Sequence, residues 1–279
     1  MSVYDNISYN IDIYKVDDAR EDLARVVKYF QSMPYHDRAM EAFLLEHRRL
    51  PEGCIKDLDA FFILEEQEVD DLPEWMKSEP LGIVKGRHII MAGRIVIPVK
   101  TPKGKVMGFV GWDPFIRPKY LDSINYGYKA KVSSFFGMEN LPEYYGDNKP
   151  IFITEGLMCT SWLRVNGFHA MASLGSTLSK YCVTILKRFK DRCYIVPDND
   201  EAGMNFANMV RYCLPSAKRI TVKNIRVKAL KFLGDGSTEE VEEVTKDIEQ
   251  LRLYYEEELL EDLRNLNNPF YKLKVLLRI

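Results

Sequence analysis

Three carboxylates stand where short apolar runs end. Glu155 follows the run Ile151–Thr154 and precedes Gly156, while Asp198 and Asp200 follow Cys193–Pro197 with Asn199 between them. Apolar runs of this length bounded by turn formers read as buried strands. In an open parallel sheet, ligands bind beyond the carboxyl ends of the strands. If the two strands are neighbours, the three acids share one crevice and repel one another unless cations sit among them. Hard divalent ions with oxygen ligands, Mg2+ above all, are the natural partner. Such an ion also takes phosphate oxygens, which is the apparatus of phosphoryl transfer. Taken alone, Asp-x-Asp makes turns and helix caps as readily as it binds metal. Strand-Glu-Gly-helix, followed about forty residues on by strand-Asp-x-Asp-x-Ala-Gly-helix, is a far more specific combination.

The elements that must position these acids are legible on both sides of them. From residue 149 strand and helix alternate: a strand to Thr154, a helix over Leu157–Val165, a strand over Phe168–Ser173, a helix over Leu178–Phe189, a strand to Asp198, a helix over Ala202–Tyr212 and a strand over Arg219–Val222. That alternation predicts right-handed βαβ crossovers and a largely parallel sheet. Upstream, the spacing predicts helices over Asp18–Gln31, over 38–50 with Met40, Phe43, Leu44 and Leu50 on one face, and after Pro51. Residues 66–80 are acidic and proline-bearing, as a loop is. From residue 86 the period changes to two, with His88–Gly93, Arg94–Val99 and Lys105–Trp112 broken by the turn former Pro102-Lys103-Gly104, which predicts an antiparallel hairpin or meander. Residues 113–148 read as loop with short helices.

With these pieces in place, the stretch Ile153–Gly203 resembles the Toprim domain of bacterial and phage DnaG-type DNA primases. The residues that carry the resemblance are Glu155-Gly156, Ala172-Ser173-Leu174-Gly175, the helix through Leu186–Phe189, and Asp198-x-Asp200-x-Ala202-Gly203. It extends upstream. Residues 93–111 are similar to the basic β segment of the primase polymerase core, Lys119–Ser123 to its Lys-Tyr-Leu-Asn-Ser loop, Phe136-Gly137 to an aromatic-Gly pair, and Phe43–Ile63 to the helical stretch around Arg-Gly-Leu. About 210 of the 279 residues are covered.

The resemblance implies an α/β fold (α+β overall), with an N-terminal helical and antiparallel β basic subdomain over 1–148, a Toprim domain with a parallel βαβ sheet over 149–250, and a helical C-terminal segment over 251–279. It implies a DNA-directed RNA polymerase of the primase type, which makes short RNA primers from NTPs on single-stranded DNA with Mg2+ or Mn2+. Carried over residue by residue, Glu155, Asp198 and Asp200 become catalytic and metal-binding. Asp247 becomes the third acidic metal site, with Asp235 second. Arg48, Arg94, Lys119 and Lys131, with Lys129 the alternative to Lys131, fall where the family has basic residues near nucleotide or template. Tyr120, Tyr126 and Tyr128 interleave with these lysines, where base stacking competes with ordinary packing. The helical spacing of Val241, Val244, Ile248 and Leu251 equally predicts a plain amphipathic helix around Asp247.

Three positions depart from the family pattern: Cys159 stands where Asp is usual, Asp122 where Asn is usual, and Trp112 where Gly-Arg commonly ends the β segment. Five scattered cysteines and four histidines offer no finger-like spacing, so no structural zinc is expected and the thiols fit a reducing cytoplasm. A stand-alone, phage- or mobile-element-like core is the resulting expectation, its partners a replicative helicase and a zinc-module protein supplied in trans. A Toprim nuclease and a non-catalytic subunit docking on a helicase or primase are the rivals. For the second rival the charged helix and apolar tail at 270–279 offer a surface. No apolar run is long enough to span a membrane. The net charge of −2 hides an uneven distribution. Residues 235–264 hold twelve acids and three bases, a balance of −9, which leaves +7 for the rest and +5 within residues 98–131 alone.

Overall fold

The computed structural model describes residues 19–278 except 79–80, 114, 116–117, 126–127, 130–133, 175–177, 190, 233–237 and 246. Tyr126, Lys131 and Asp235 therefore lie outside the described residues. Of the residues before the first acid, α1 (Ala19–Gln31), α2 (His36–Met40) and α3 (Gly53–Leu58) are helical, and β1 (Phe61–Phe62) follows them. Next come the small hairpin β2 (Val84–Lys85) and β3 (His88–Ile89), the long pair β4 (Ile95–Lys100) and β5 (Val106–Trp112), and the short strands β6 (Tyr120–Asp122), β7 (Ile124–Asn125) and β8 (Tyr128–Lys129). Strands β1, β4, β5 and β6 form one antiparallel sheet in the order β1-β4-β5-β6.

The turn joining β4 to β5 is the expected one. Gly104 adopts φ +74°, which an L side chain resists, and its N–H donates to the Thr101 carbonyl at 2.8 Å. Both faces of β4 and β5 are covered, and their residues divide by parity except at Val106, where the register shift after Val99 changes the face. Ile95, Ile97, Val99, Val110 and Trp112 pack in a core shared with Leu157, Met158 and Trp162. Val96, Val106 and Phe109 face the other way, against Leu23, Val26 and Phe30 of α1 and against Phe61. Period-two alternation puts successive side chains on opposite faces, and here each face has its own core.

In the second half α4 (Leu141–Gly146) leads into β9 (Ile151–Thr154), α5 (Leu157–Val165), β10 (His169–Ala172), α6 (Lys180–Lys187), β11 (Cys193–Val196), α7 (Glu201–Cys213) and β12 (Lys218–Val222). These strands are parallel in the order β10-β9-β11-β12, as the alternation predicts. Phe152, Tyr194 and Val196 pack on one face with α5, and Ile151, Ile153, Cys193 and Ile195 on the other with Leu186, Phe189, Phe206 and Val210. The hairpin β13 (Arg226–Phe232) and β14 (Thr238–Val244), α8 (Ile248–Arg264) and β15 (Leu276–Arg278) complete the chain.

Several local expectations are corrected. The helix expected over 38–50 is α-helical only to Met40. A π turn over Glu41–His47 then closes with the Arg48 N–H on the Phe43 carbonyl at 3.2 Å, a bond five residues long. Within His88–Gly93 only the first two residues are strand, and the loop expected over 113–148 holds three short strands besides α4. Val241 and Val244 belong to β14, not to the helix that carries Ile248 and Leu251, because cross-strand pairing with Ala229 and Arg226 overrides their helical spacing. The expected boundary at residue 250 falls inside α8.

The tail read as a docking surface is part of the sheet, with β15 antiparallel to β12. Its entry is fixed by the fully buried Asp262, whose carboxylate accepts N–H bonds from Lys274, Val275 and Leu276 at 2.8, 2.7 and 3.0 Å. Val275 and Leu276 are 4% and 1% exposed, so they are core residues and not a free apolar face.

Candidate active site

Strands β9 and β11 are hydrogen-bonded neighbours, with Thr154 opposite Val196. Glu155 and Asp198 therefore leave the sheet side by side at its carboxyl edge. The Glu155-Gly156 turn is held from below, since the Thr154 and Thr160 hydroxyls both donate to the Gly156 carbonyl, at 3.0 and 3.1 Å. The Asp198-x-Asp200-x-Ala202-Gly203 turn is fixed by close approach and by a cap. A Cβ at Gly203 would lie 2.1 Å from the Asp198 carbonyl oxygen, so no other residue lets α7 start there. Asp200 caps α7, its Oδ1 accepting the Gly203 N–H at 2.8 Å.

Asp247 arrives from the far side of the hairpin and caps α8, accepting the Gln250 N–H at 2.6 Å. It lines the same cavity of about 450 Å3 as Glu155, Asp198, Arg48, Lys119 and Tyr120. Thus the cap reading and the site reading of Asp247 hold together: one carboxylate oxygen fixes the helix while the residue faces the other acids. The signal was available in the sequence, because an acid followed three residues later by Gln is a helix-start pattern.

The acids act on one another. Asp198 is pushed up to about 7, first by burial and then by the charges of Asp247, Glu155 and Asp200, with Lys119 opposing. Asp247 is also raised by burial, against the Gln250 N–H, Arg48 and Lys119, which favour its charged form. A buried cluster held this way gains from any cation brought into it.

The opposite wall is basic and comes from the N-terminal half. The π turn ends at His47 and delivers Arg48 to the cavity, where the guanidinium pairs with Glu249 and lies 5.4 Å from the centre of the Trp112 ring. Arg252 of α8 grips the same turn, donating to the Arg49 carbonyl at 2.8 Å and the Arg48 carbonyl at 2.6 Å, with Arg49 at φ +51°. Lys119 reaches the cavity beside Tyr120, whose hydroxyl burial pushes up to about 12. Arg94 is 5% exposed and lies beneath this wall, its Nη1 donating to the Lys119 carbonyl at 3.3 Å. Lys129 lies in β8, and Lys131 falls outside the described residues.

Sequence reasoning missed His47 and Arg252 in the cavity wall, whereas Glu249 stands in the Lys246-Asp247-Ile248-Glu249 stretch matched to the third acidic site. Arg252 sits in a helix crowded with charge, and nothing local marks it as the one that turns inward. Leu174, part of the Ala-Ser-Leu-Gly piece that carries the resemblance, lies on the cavity wall at φ +59°.

The donor set is hard. Among the described residues no three of His, Cys, Asp and Glu converge into a ready-made cage. Mg2+-like ions rarely need one, since one or two carboxylates together with substrate phosphates and water suffice. Cys159 lines the cavity with its thiol held well above the ordinary range by burial, Asp198 and Asp247, so it offers a neutral sulfur and not a further charged oxygen.

Comparison with known proteins is consistent with this geometry. Residues 152–233 match the family model described as Toprim-like. The DNA primase of Aquifex aeolicus is 32% identical over 114 residues, 39% of this chain and 23% of its own length. That of Listeria monocytogenes is 26% identical over 182 residues, 63% of this chain and 29% of its own. The chain thus spans under a third of the length of these curated relatives. Among solved structures, the zinc-binding and RNA polymerase domains of the Aquifex aeolicus primase superpose with a TM-score of 0.68 at 21% identity, over 91% of this chain and 62% of that one. A DnaG primase catalytic domain bound to ssDNA gives 0.65 at 19% identity, over 91% and 80%.

The fold is that of a DnaG-type primase core. Within this fold the carboxylates belong to the Toprim-like stretch and the helix that follows the hairpin, and the basic wall to the segment before it. The departure at Asp122 lies in β6, opposite Val110, while Trp112 is fully buried beneath Arg48.

Proposed function

We propose that this chain is the catalytic core of a DNA primase, joining NTPs into short RNA on a single-stranded DNA template during replication. The observation that carries the reading is the single cavity in which Glu155, Asp198 and Asp247 face Arg48 and Lys119. Carboxylates alone repel a triphosphate and basic residues alone bind it without chemistry. The two walls together suit a substrate that is anionic and reaches its transition state with more charge on its phosphate oxygens.

In this reading Asp198, Glu155, Asp200 and Asp247 are the residues that hold a divalent ion, Mg2+ or Mn2+. When bound, the ion neutralises phosphate charge and aligns the attacking and leaving oxygens. Arg48 and Lys119 take phosphate oxygens from the other side. Arg48 is suited to a two-point grip, and Lys119 acts as a point charge. Arg94 supports Lys119 from below, and Lys129 and Lys131 are the further basic residues proposed to meet the template. The hydroxyl of Tyr120 stays protonated at physiological pH and is a donor within the cavity. A replicative helicase and a zinc-bearing module from another protein are the proposed partners, and a cytoplasmic location goes with them. Among the described residues no helix is long and apolar enough to cross a membrane.

The test is to incubate the chain with circular single-stranded DNA, Mg2+ and labelled NTPs, in parallel with labelled DNA. Short oligoribonucleotides that vanish in Asp198→Asn are the expected result. Cleavage of the DNA without RNA product would assign the same acids to a nuclease.

A further inference from the structure

One aromatic ring beside the cavity has no role in the packing. Phe115 is 73% exposed, and among the described residues only Phe270 is a more exposed large hydrophobic side chain. Its placement is built. Asp113, itself 5% exposed, accepts the Phe115 N–H on Oδ1 at 2.6 Å and donates its own N–H to the Lys119 carbonyl at 3.0 Å. Asp113 thereby ties both the Phe115 N–H and the Lys119 carbonyl, and Phe115 is exposed while Lys119 lines the cavity.

The ring meets His47 across the rim, with centroids 5.2 Å apart and planes inclined at 50°. His47 also lines the cavity and directly precedes Arg48. Its imidazole is held below the usual histidine range by burial and by the charges of Arg48 and Lys119, with Asp113 opposing. Near neutral pH it is therefore an uncharged ring that offers a π face. An aromatic pair thus adjoins two cations, which matches the layout of a nucleotide, a flat base joined through a sugar to phosphates.

We infer that Phe115 and His47 form a nucleobase-stacking platform at the mouth of the cavity. This deepens the primase reading and rests on it, because the phosphates are assigned to Arg48 and Lys119. Aromatic stacking tolerates every base, as a template-directed enzyme requires. A protein-docking patch needs several hundred Å2 of contiguous apolar surface. One phenyl ring beside an imidazole, bordered by Arg48, Asp113 and Lys119, has the extent of a single base. The base belongs either to the incoming NTP or to the template.

Phe115→Trp places an indole at the platform and lets binding be read without catalysis. The variant is titrated, against the wild-type chain as background, with ATP, with inorganic tripolyphosphate, with oligo-dT and with an abasic oligonucleotide of equal length. Quenching by ATP but not by tripolyphosphate assigns the platform to the incoming nucleotide. Quenching by oligo-dT but not by its abasic counterpart assigns it to the template. Phe115→Leu, apolar but without a π face, should weaken binding of that same ligand about ten-fold, and Phe115→Tyr should restore it. The inference is overturned if the base-free ligands quench as strongly as their base-bearing counterparts, or if Phe115→Leu binds both ligands as the wild type does. A wild-type chain that makes no RNA would sink the polymerase reading, while the quench would still report on the platform.

Discussion

At the scale of single residues, the site is a balance of like charges. Asp198 holds its proton up to about pH 7 in the folded, ion-free protein, whereas in the unfolded chain it releases it near 3.8, the ordinary aspartate value. Between these values the folded state binds more protons, so this group's contribution to stability falls as pH rises from about 4 to 7. Asp198→Asn removes the penalty. In the absence of divalent ions the variant should melt higher than the wild type at pH 8, by a few degrees, with the difference shrinking toward pH 5. Added Mg2+ should raise the wild-type melting temperature and leave the variant much less affected, since an ion that binds only the folded state stabilises it by mass action. Equal responses to Mg2+ would remove Asp198 from the set of ligands.

At the scale of elements, α8 does two things at once. Its first turn carries Asp247 into the cavity, and one turn on Arg252 holds the Arg48–Arg49 turn from across the chain. Replacing Arg252 by Met keeps the stem and leaves two carbonyls without their donor. That should cost about 2–4 kcal/mol in chemical denaturation and raise KM for NTPs more than it lowers kcat. Gly203 makes a similar demand on α7. Gly203→Ala forces a Cβ into the Asp198 backbone, and should lower stability by about 1–3 kcal/mol while displacing the Asp198 turn. An alanine variant with wild-type melting and primer synthesis would show that the turn can yield.

At the scale of the whole molecule, the C-terminal strand closes the sheet that carries the acids. Deleting residues 271–279 strips Asp262 of its three N–H donors and exposes the edge of β12. The truncated chain should therefore lose cooperative unfolding or become insoluble. If the tail were only a docking arm, the core would melt unchanged. Charge also acts at this scale. If the proposed function holds, the basic excess of residues 98–131 serves single-stranded DNA, and binding should weaken steeply with salt. Lys129→Ala, at a residue proposed to meet the template, should lower the salt slope for single-stranded DNA by about 0.7, the value for one phosphate contact on a single strand.

The parallel sheet and the pair Glu155 and Asp198 were legible in the sequence because both depend on local pattern. Apolar runs set the strands, and an acid directly after a strand must emerge at its carboxyl edge. The Gly203 and Asp200 turn was legible for the same reason, since capping and close approach act within a few residues. The π turn that aims Arg48, the inward placement of Arg252 and the return of the tail to β12 depend on partners up to about two hundred residues away. Helical spacing at Val241 and Val244 gave the wrong element for that reason, because pairing across a hairpin outweighed it. The chemistry on offer was thus written in residue types and spacing. Which cations face those acids was decided only when α8 and the N-terminal turn packed together, because long-range burial and hydrogen bonds to main-chain carbonyls leave no periodic trace in a sequence.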